Sequence, residues 1–343
     1  MSLQTQQISS SEELSKFYEE TFYFSYSSIN KLLFSPRMFY DHYVLKQKED
    51  SVDAHLVAGR ALHCLLLESE ERFNEEFIVM PGTLPGDNNR VIIDNIFNKS
   101  YLPMGNDSLE LSDFSNEILN QLLVINLHQS LKTDAQRIDK ILTDQNKEYF
   151  NFLKAKQNKT VIDQKTLDAC KESVECLKNN NVIKQLLQLD QANNPNIKVL
   201  NEQTLRTEPY SYKFGFKGVL DNIVIDYESK TFFINDLKTT GKALQDFPES
   251  VEYYKYWIQA VMYQQLAWYN YLKDLPDLSE WKFAITFIVI DKYNQIYPFQ
   301  VSQQTLAKWN DRFETEILKI LEYHYSSADF TLPYELALGN ITL

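Results

Sequence analysis

The chain has 343 residues, of which 44% are hydrophobic and 13% aromatic, which is ample for a buried core and excludes a disordered chain. A formal net charge of −13 excludes a general nucleic-acid coat, which needs clustered Lys and Arg, while a local basic channel on an acidic body stays open. Cys64, Cys170 and Cys176 lack a metal-binding spacing and fit a reducing compartment better than a disulfide framework. Residues 1–20 read as a polar tail without the apolar stretch of a signal peptide. The apolar run at 283–290 is too short to span a bilayer and reads as a buried strand, so a cytoplasmic protein is expected.

Past the tail, Ser27 or Ser28 is placed to cap a short helix through Leu33, and Ser35-Pro36 has the cap and first-turn signature of a second. A third helix is expected over Ala54 to Glu70, followed by an extended segment ending at Pro81-Gly82. The stretch from about 84 to 150 is rich in Asn, Asp, Gln and Ser, with helical pieces near 115–142, and reads as an insertion or divergent segment in a single domain over 21–343. Helices follow over Gln164–Lys178 and Val182–Leu189. Strand-like alternation then marks Lys198–Thr207, Tyr212–Asp226 and Thr231–Lys238. A long aromatic helix at about 250–272, strands at 281–291 and 295–301, and a helix at 303–324 complete the chain. This order predicts an α/β core with a helical N-terminal portion.

Chemistry concentrates in two strands. Residues two apart on a strand share a face, so Asp236 and Lys238 lie beside Ile234, and Asp221 stands in another apolar run, Lys217–Ile225. If these strands pair as a hairpin, Asp221 and Asp236 stand side by side and need a cation between them. Taken alone, an Asp-x-Lys on a strand is usually a solvated surface pair, and the motifs that follow shift that reading. His63, in the leucine-rich helix, fits a hydrogen-bonded core histidine or a metal ligand. Gln259 and Tyr263 share one face of the aromatic helix, where a plain core stripe is the alternative.

In order, these motifs run Gly59-x-x-x-His63, Gly218-x-x-Asp221, Asp236-x-Lys238-Thr-Thr and Gln259-x-x-x-Tyr263, preceded by SYSSINKLLFSPRMFYDHY. The combination resembles the RecB-like branch of the PD-(D/E)XK nucleases, most of all the phage RecE-type exonuclease (exonuclease VIII) domain. The resemblance covers about 24–82 and 157–300. It implies a restriction-endonuclease-like core, a central mixed sheet flanked by helices. It also implies that Asp221 and Asp236 bind a metal, that His63 and the Leu237 carbonyl complete its sphere, and that Lys238 orients the attacking water. Glu202 matches a further acidic position of the branch, and Gln259 and Tyr263 position the nucleic acid or the motif strands. Arg60, Ser27 and Arg37 are candidate phosphate contacts. Such an oxygen-rich site suits Mg2+ or Mn2+, the imidazole favouring Mn2+ slightly. Some relatives hold an iron–sulfur cluster on four cysteines, and three cysteines here exclude that site.

The expected activity is metal-dependent exodeoxyribonuclease action on double-stranded DNA ends. The resemblance further implies 5′-to-3′ polarity, a ring-like homo-oligomer and a partner that anneals single strands, as in phage-type recombination. The alternatives are an endonuclease of repair or restriction type and a non-catalytic DNA-binding protein on a nuclease fold.

Overall fold

The computed structural model describes residues 17, 19–47, 53–189, 194–208, 212–274 and 278–339. The tail expected over 1–20 lies outside these apart from Phe17, Glu19 and Glu20. The chain forms two compact units, one of residues 1–53 and 173–343 and the other of 54–172.

The first unit opens with a two-residue strand β1 (Tyr23–Phe24), helix α1 (Tyr26–Phe34) and helix α2 (Pro36–Phe39). The α1 cap is Ser25, whose side chain accepts from the Ser28 N–H while Ser28 answers to the Ser25 backbone. The cap therefore lies two residues ahead of the expected Ser27, with Ser28 as the reciprocal partner of a capping box. Ser35 caps α2, with Pro36 in its first turn.

In the second unit, α3 (Ala54–Leu67) and α4 (Glu70–Glu76) lead to β2 (Phe77–Val79), which pairs in parallel with β3 (Thr160–Ile162). Between these strands the polar stretch builds a core of its own. Ile92, Ile93 and Ile96 of a helix at Asp87–Ile96 pack with Ile118, Leu122 and Phe150, all fully buried. The polar composition hid this, because isoleucines at helical spacing still form an apolar stripe among many Asn and Asp.

Helix α5 (Gln164–Asn179) carries the chain across the boundary, and α6 (Asn181–Leu187) follows in the first unit. Strands β4 (Ile197–Arg206), β5 (Gly215–Asp226) and β6 (Thr231–Thr240) form an antiparallel meander. Helices α7 (Phe247–Tyr253) and α8 (Tyr256–Ala267) then make the crossover to β7 (Lys282–Asp291), parallel to β6, and β8 (Ile296–Val301) closes the sheet antiparallel to β7. With β1 parallel to the start of β5, this is a six-stranded mixed sheet. The chain continues with α9 (Gln303–Arg312) and α10 (Leu318–Ser327), and a short helix α11 (Tyr334–Ala337) follows.

One sheet face carries Ile223, Ile225, Phe232 and Ile234 and packs on Ile29, Trp257, Val261, Phe313 and Leu321 of the flanking helices. On the other face Asn222 and Asn235 donate to the Leu187 and Leu186 carbonyls at the end of α6, which satisfies carbonyls left open by the helix. The mixed α/β sheet flanked by helices is as the strand and helix order predicts. The single aromatic helix at 250–272 is instead divided at Lys255, which adopts a left-handed φ of 58° between α7 and α8. No helix among the described residues is long and apolar enough to cross a membrane.

Candidate metal centre

Strands β5 and β6 pair from Asp226 and Thr231 as far as Asn222 and Asn235, and there the ladder stops. Each strand continues with a different partner, β5 along β4 to Lys217 and β6 along β7 to Thr240. The result is a fork, and Asp221 and Asp236 are the first residues beyond it. Both are buried, at 7% and 1% exposure. Side-chain alternation puts them on the face of Ile223 and Ile234, as the sequence argument requires.

The fork explains why a carboxylate belongs at 221. Where the strands part, the Leu237 N–H loses its place in a β5–β6 ladder, and a carboxylate oxygen of Asp221 accepts it at 2.7 Å. A buried N–H left without an acceptor costs about 1–3 kcal/mol. Asp221 is thus tied to the β6 backbone at Leu237, between Asp236 and Lys238.

Glu202 lies on β4 between Asn201 and Gln203, which pair with Asn222 and Leu220, so it stands opposite Asp221. Its φ is 47°, left-handed within a strand, which costs a non-glycine residue roughly 1–2 kcal/mol. A carboxylate oxygen of Glu202 lies within 4.8 Å of one of Asp221. Backbone strain of this kind collects at functional positions. Three neighbouring strands therefore bring Glu202, Asp221 and Asp236 into one row.

Lys238 closes the row. Its ammonium lies 2.5 Å from an Asp236 oxygen and 4.9 Å from the centre of the Tyr256 ring. Burial by itself lowers a lysine pKa; the carboxylates of Asp236 and Asp221 outweigh it and hold the Lys238 ammonium above its ordinary value. Lys238 is charged at any working pH.

Helix α8 roofs this end of the sheet. Gly218 on β5 permits the approach: a Cβ there would meet Leu266 at 3.0 Å and the Tyr263 ring at 3.1 Å. Gln259 donates its side-chain N–H to the Tyr263 hydroxyl at 2.7 Å, and both residues are buried. Burial, followed by the fields of Asp236 and Asp221, raises the Tyr263 pKa well above the usual phenol value, so the hydroxyl keeps its proton beside the carboxylates.

Sequence reasoning missed Tyr26 and Tyr256. The Tyr26 hydroxyl donates to the Tyr254 carbonyl at 2.5 Å, and its pKa is raised by burial, by Tyr256 and by Asp236. Tyr256 is raised by burial, against the lowering effect of Lys238. Tyr26 lies within the Ser-Tyr-Ser-Ser run at 25–28, and its hydroxyl in that pattern was the available signal.

Ser27 sits at the exposed start of α1, 3.0 Å from the Ser25 hydroxyl. Arg37 pairs with Asp41 at 2.9 Å on the surface. Arg60 and His63 belong to α3 of the second unit, where Arg60 grips Glu76 through two nitrogens at 2.9 and 3.0 Å and Glu68 at 3.0 Å.

No protein-family model and no curated protein matches the chain. A solved structure described as "Putative exonuclease" from Eubacterium rectale is similar, with 13% identity and a TM-score of 0.49 over 100% of this chain and 95% of that one. At that identity the likeness is one of chain trace.

Proposed function

We propose that the protein is a metal-dependent deoxyribonuclease of the PD-(D/E)XK type. The observation that supports it most is the fork between β5 and β6, which sets buried Asp221 and Asp236 beside Glu202 and places Lys238 2.5 Å from Asp236. Carboxylate oxygens on neighbouring strands are a hard, oxygen-only donor set, which fits Mg2+ or Mn2+. Asp221 and Asp236 would hold the ion, with Glu202 and the Leu237 carbonyl as further donors. The assignment of His63 to the same ion, and the lean to Mn2+ that goes with it, rest on the sequence resemblance.

A bound divalent cation supplies Lewis acidity, lowering the pKa of water and neutralising the scissile phosphate. The residues of the chain do the rest. Asp221, fixed by the Leu237 N–H, and Asp236, held by Lys238, keep their oxygens oriented before substrate arrives. Lys238, permanently charged, donates hydrogen bonds to the attacking water or to a phosphate oxygen as negative charge develops. Tyr263 and Gln259 wall the site and donate to acceptors placed there. Arg37 and Ser27, at the starts of their helices, and Arg60 are proposed phosphate contacts.

The RecE-type likeness extends the proposal to duplex ends, 5′-to-3′ polarity, a homo-oligomeric ring and a single-strand annealing partner. The test uses linear duplex DNA labelled at either end, closed circular DNA, and Mg2+ or EDTA. Metal-dependent release of nucleotides from linear DNA is expected, with circular DNA intact. Cutting of the circle would favour the endonuclease reading. Hydrolysis that survives Asp236→Ala would overturn the site assignment.

A further inference from the structure

Beyond the roof of the site, aromatic rings continue outward from Lys238 without a gap. The Tyr256 ring takes the ammonium on its face, and the Tyr254 ring stacks on Tyr256 at 5.5 Å and 30°. Tyr253 meets Tyr254 edge-on at 4.9 Å, and Lys242 lies 5.6 Å from the centre of the Tyr253 ring. The two outer rings are exposed, Tyr254 at 45% and Tyr253 at 72%.

The backbone of this ledge is pinned by hydrogen bonds at Tyr254. It occupies the corner between α7 and α8, where Lys255 takes its left-handed conformation. The Tyr254 carbonyl receives both the Tyr26 hydroxyl and the Asn30 side-chain amide, at 2.5 and 3.1 Å. The Tyr254 N–H is bonded to the Ser250 carbonyl at 2.9 Å. Large rings held on a fixed backbone lose little entropy when they bind. Scattered exposed tyrosines need no explanation, but these are contiguous, lead from the proposed reaction centre, and alternate with Lys238, Lys242 and Lys255. On a chain of net charge −13, cations interleaved with exposed rings mark a surface for a polyanion with flat apolar groups.

We infer that Tyr253 and Tyr254 form a stacking ledge for the base of the nucleotide at the end of the DNA strand, with Lys242 and Lys255 toward its phosphates. The substrate class rests on the nuclease reading above; the base-binding surface is tested separately from it. In this arrangement Tyr253 and Tyr254 are positioning residues, holding the strand end while its phosphate lies at the carboxylates.

The probe is a short duplex ending in one unpaired 2-aminopurine nucleotide, with Ca2+ in place of Mg2+, and a matched duplex ending in an abasic nucleotide. The wild-type chain is expected to quench the 2-aminopurine on binding. The Tyr253→Ala/Tyr254→Ala variant should lose the quench and bind this end about ten-fold more weakly. Tyr254→Trp with Tyr253→Phe should retain both. All forms should bind the abasic end alike. Equal quenching and affinity in the wild type and the alanine variant would overturn the ledge, as would an equal loss on the abasic end or no binding by the wild type. A changed subunit number in the alanine variant, with base binding intact, would make the ledge an interface between copies and overturn it too. Hydrolysis in Mg2+ is scored independently: a wild type that stacks the base and cuts nothing sinks the nuclease reading and keeps the ledge.

Discussion

The Leu237 N–H donates to Asp221 across the gap where β5 and β6 separate, at 2.7 Å. This one bond couples the backbone of the strand that carries Asp236 and Lys238 to the side chain of its neighbour. It makes Asp221 an acceptor for the fold, a role separable from that of the metal ligand proposed above.

Those roles predict a split between two substitutions. Asp221→Asn keeps an acceptor for Leu237 and should cost little stability. Asp221→Ala orphans the N–H and should lose about 1–3 kcal/mol in urea unfolding. Both should abolish metal-dependent hydrolysis. Equal stability of the two variants would show that the hydrogen bond does not contribute.

Removing the Lys238 ammonium leaves Asp236 buried beside Asp221. Breaking a buried pair from one side costs roughly 3–5 kcal/mol, so Lys238→Met in EDTA should unfold well below the wild type. Because the folded Lys238 pKa is raised, the pair's contribution is fully present below the ordinary lysine value of 10.5 and is lost as pH rises through the higher folded value. The stability gap between wild type and Lys238→Met should therefore be flat from neutral pH to about 10 and close only in stronger alkali. A gap that closes near neutrality would refute the sign.

Metal binding to the carboxylate row should stabilise the fold by mass action. At an Mn2+ concentration near 100 times the dissociation constant the gain is about 2.7 kcal/mol, read as a rise in melting temperature by scanning calorimetry. Asp236→Ala should show no such rise. Glu202→Gln should show a smaller one, while relief of strain is not expected because the left-handed backbone at 202 remains.

Gly218 tests the roof. A methyl group there meets Leu266 and the Tyr263 ring near 3 Å, so in Gly218→Ala these two side chains must give by a few tenths of an ångström. A cost of about 1–3 kcal/mol is expected from overpacking. The displacement of Tyr263 should also lower kcat in the folded enzyme. Unchanged melting temperature and unchanged kcat would show that α8 has room to spare.

Much of this was legible before any coordinates. Period-two alternation located β4, β5 and β6 to within a few residues, and the polar interruptions at 221, 236 and 238 stood out because charge on an apolar strand face demands a partner. Gln259 showed itself as the polar member of an aromatic stripe. The helix cap falls at Ser25 and not at the expected Ser27 or Ser28, because several serines in Ser25–Ser28 compete for one role. Strand β1 was missed, since two residues carry no periodicity. The break at Lys255 was missed as well, because a left-handed lysine has no composition signal of the kind that glycine or asparagine gives.

Sequence by itself determined which residue types lie on which strand face, since side-chain direction follows from local backbone period alone. It also named the acids, the lysine and the roofing helix. Only the tertiary structure decided that β5 and β6 part company immediately after Asn222 and Asn235, that Glu202 on a third strand joins the row, and that exposed tyrosines lead outward from Lys238. Strand partners, the end of a ladder and the meeting of a helix corner with a sheet are long-range choices. They depend on which surfaces pack together, and local propensity holds no record of them.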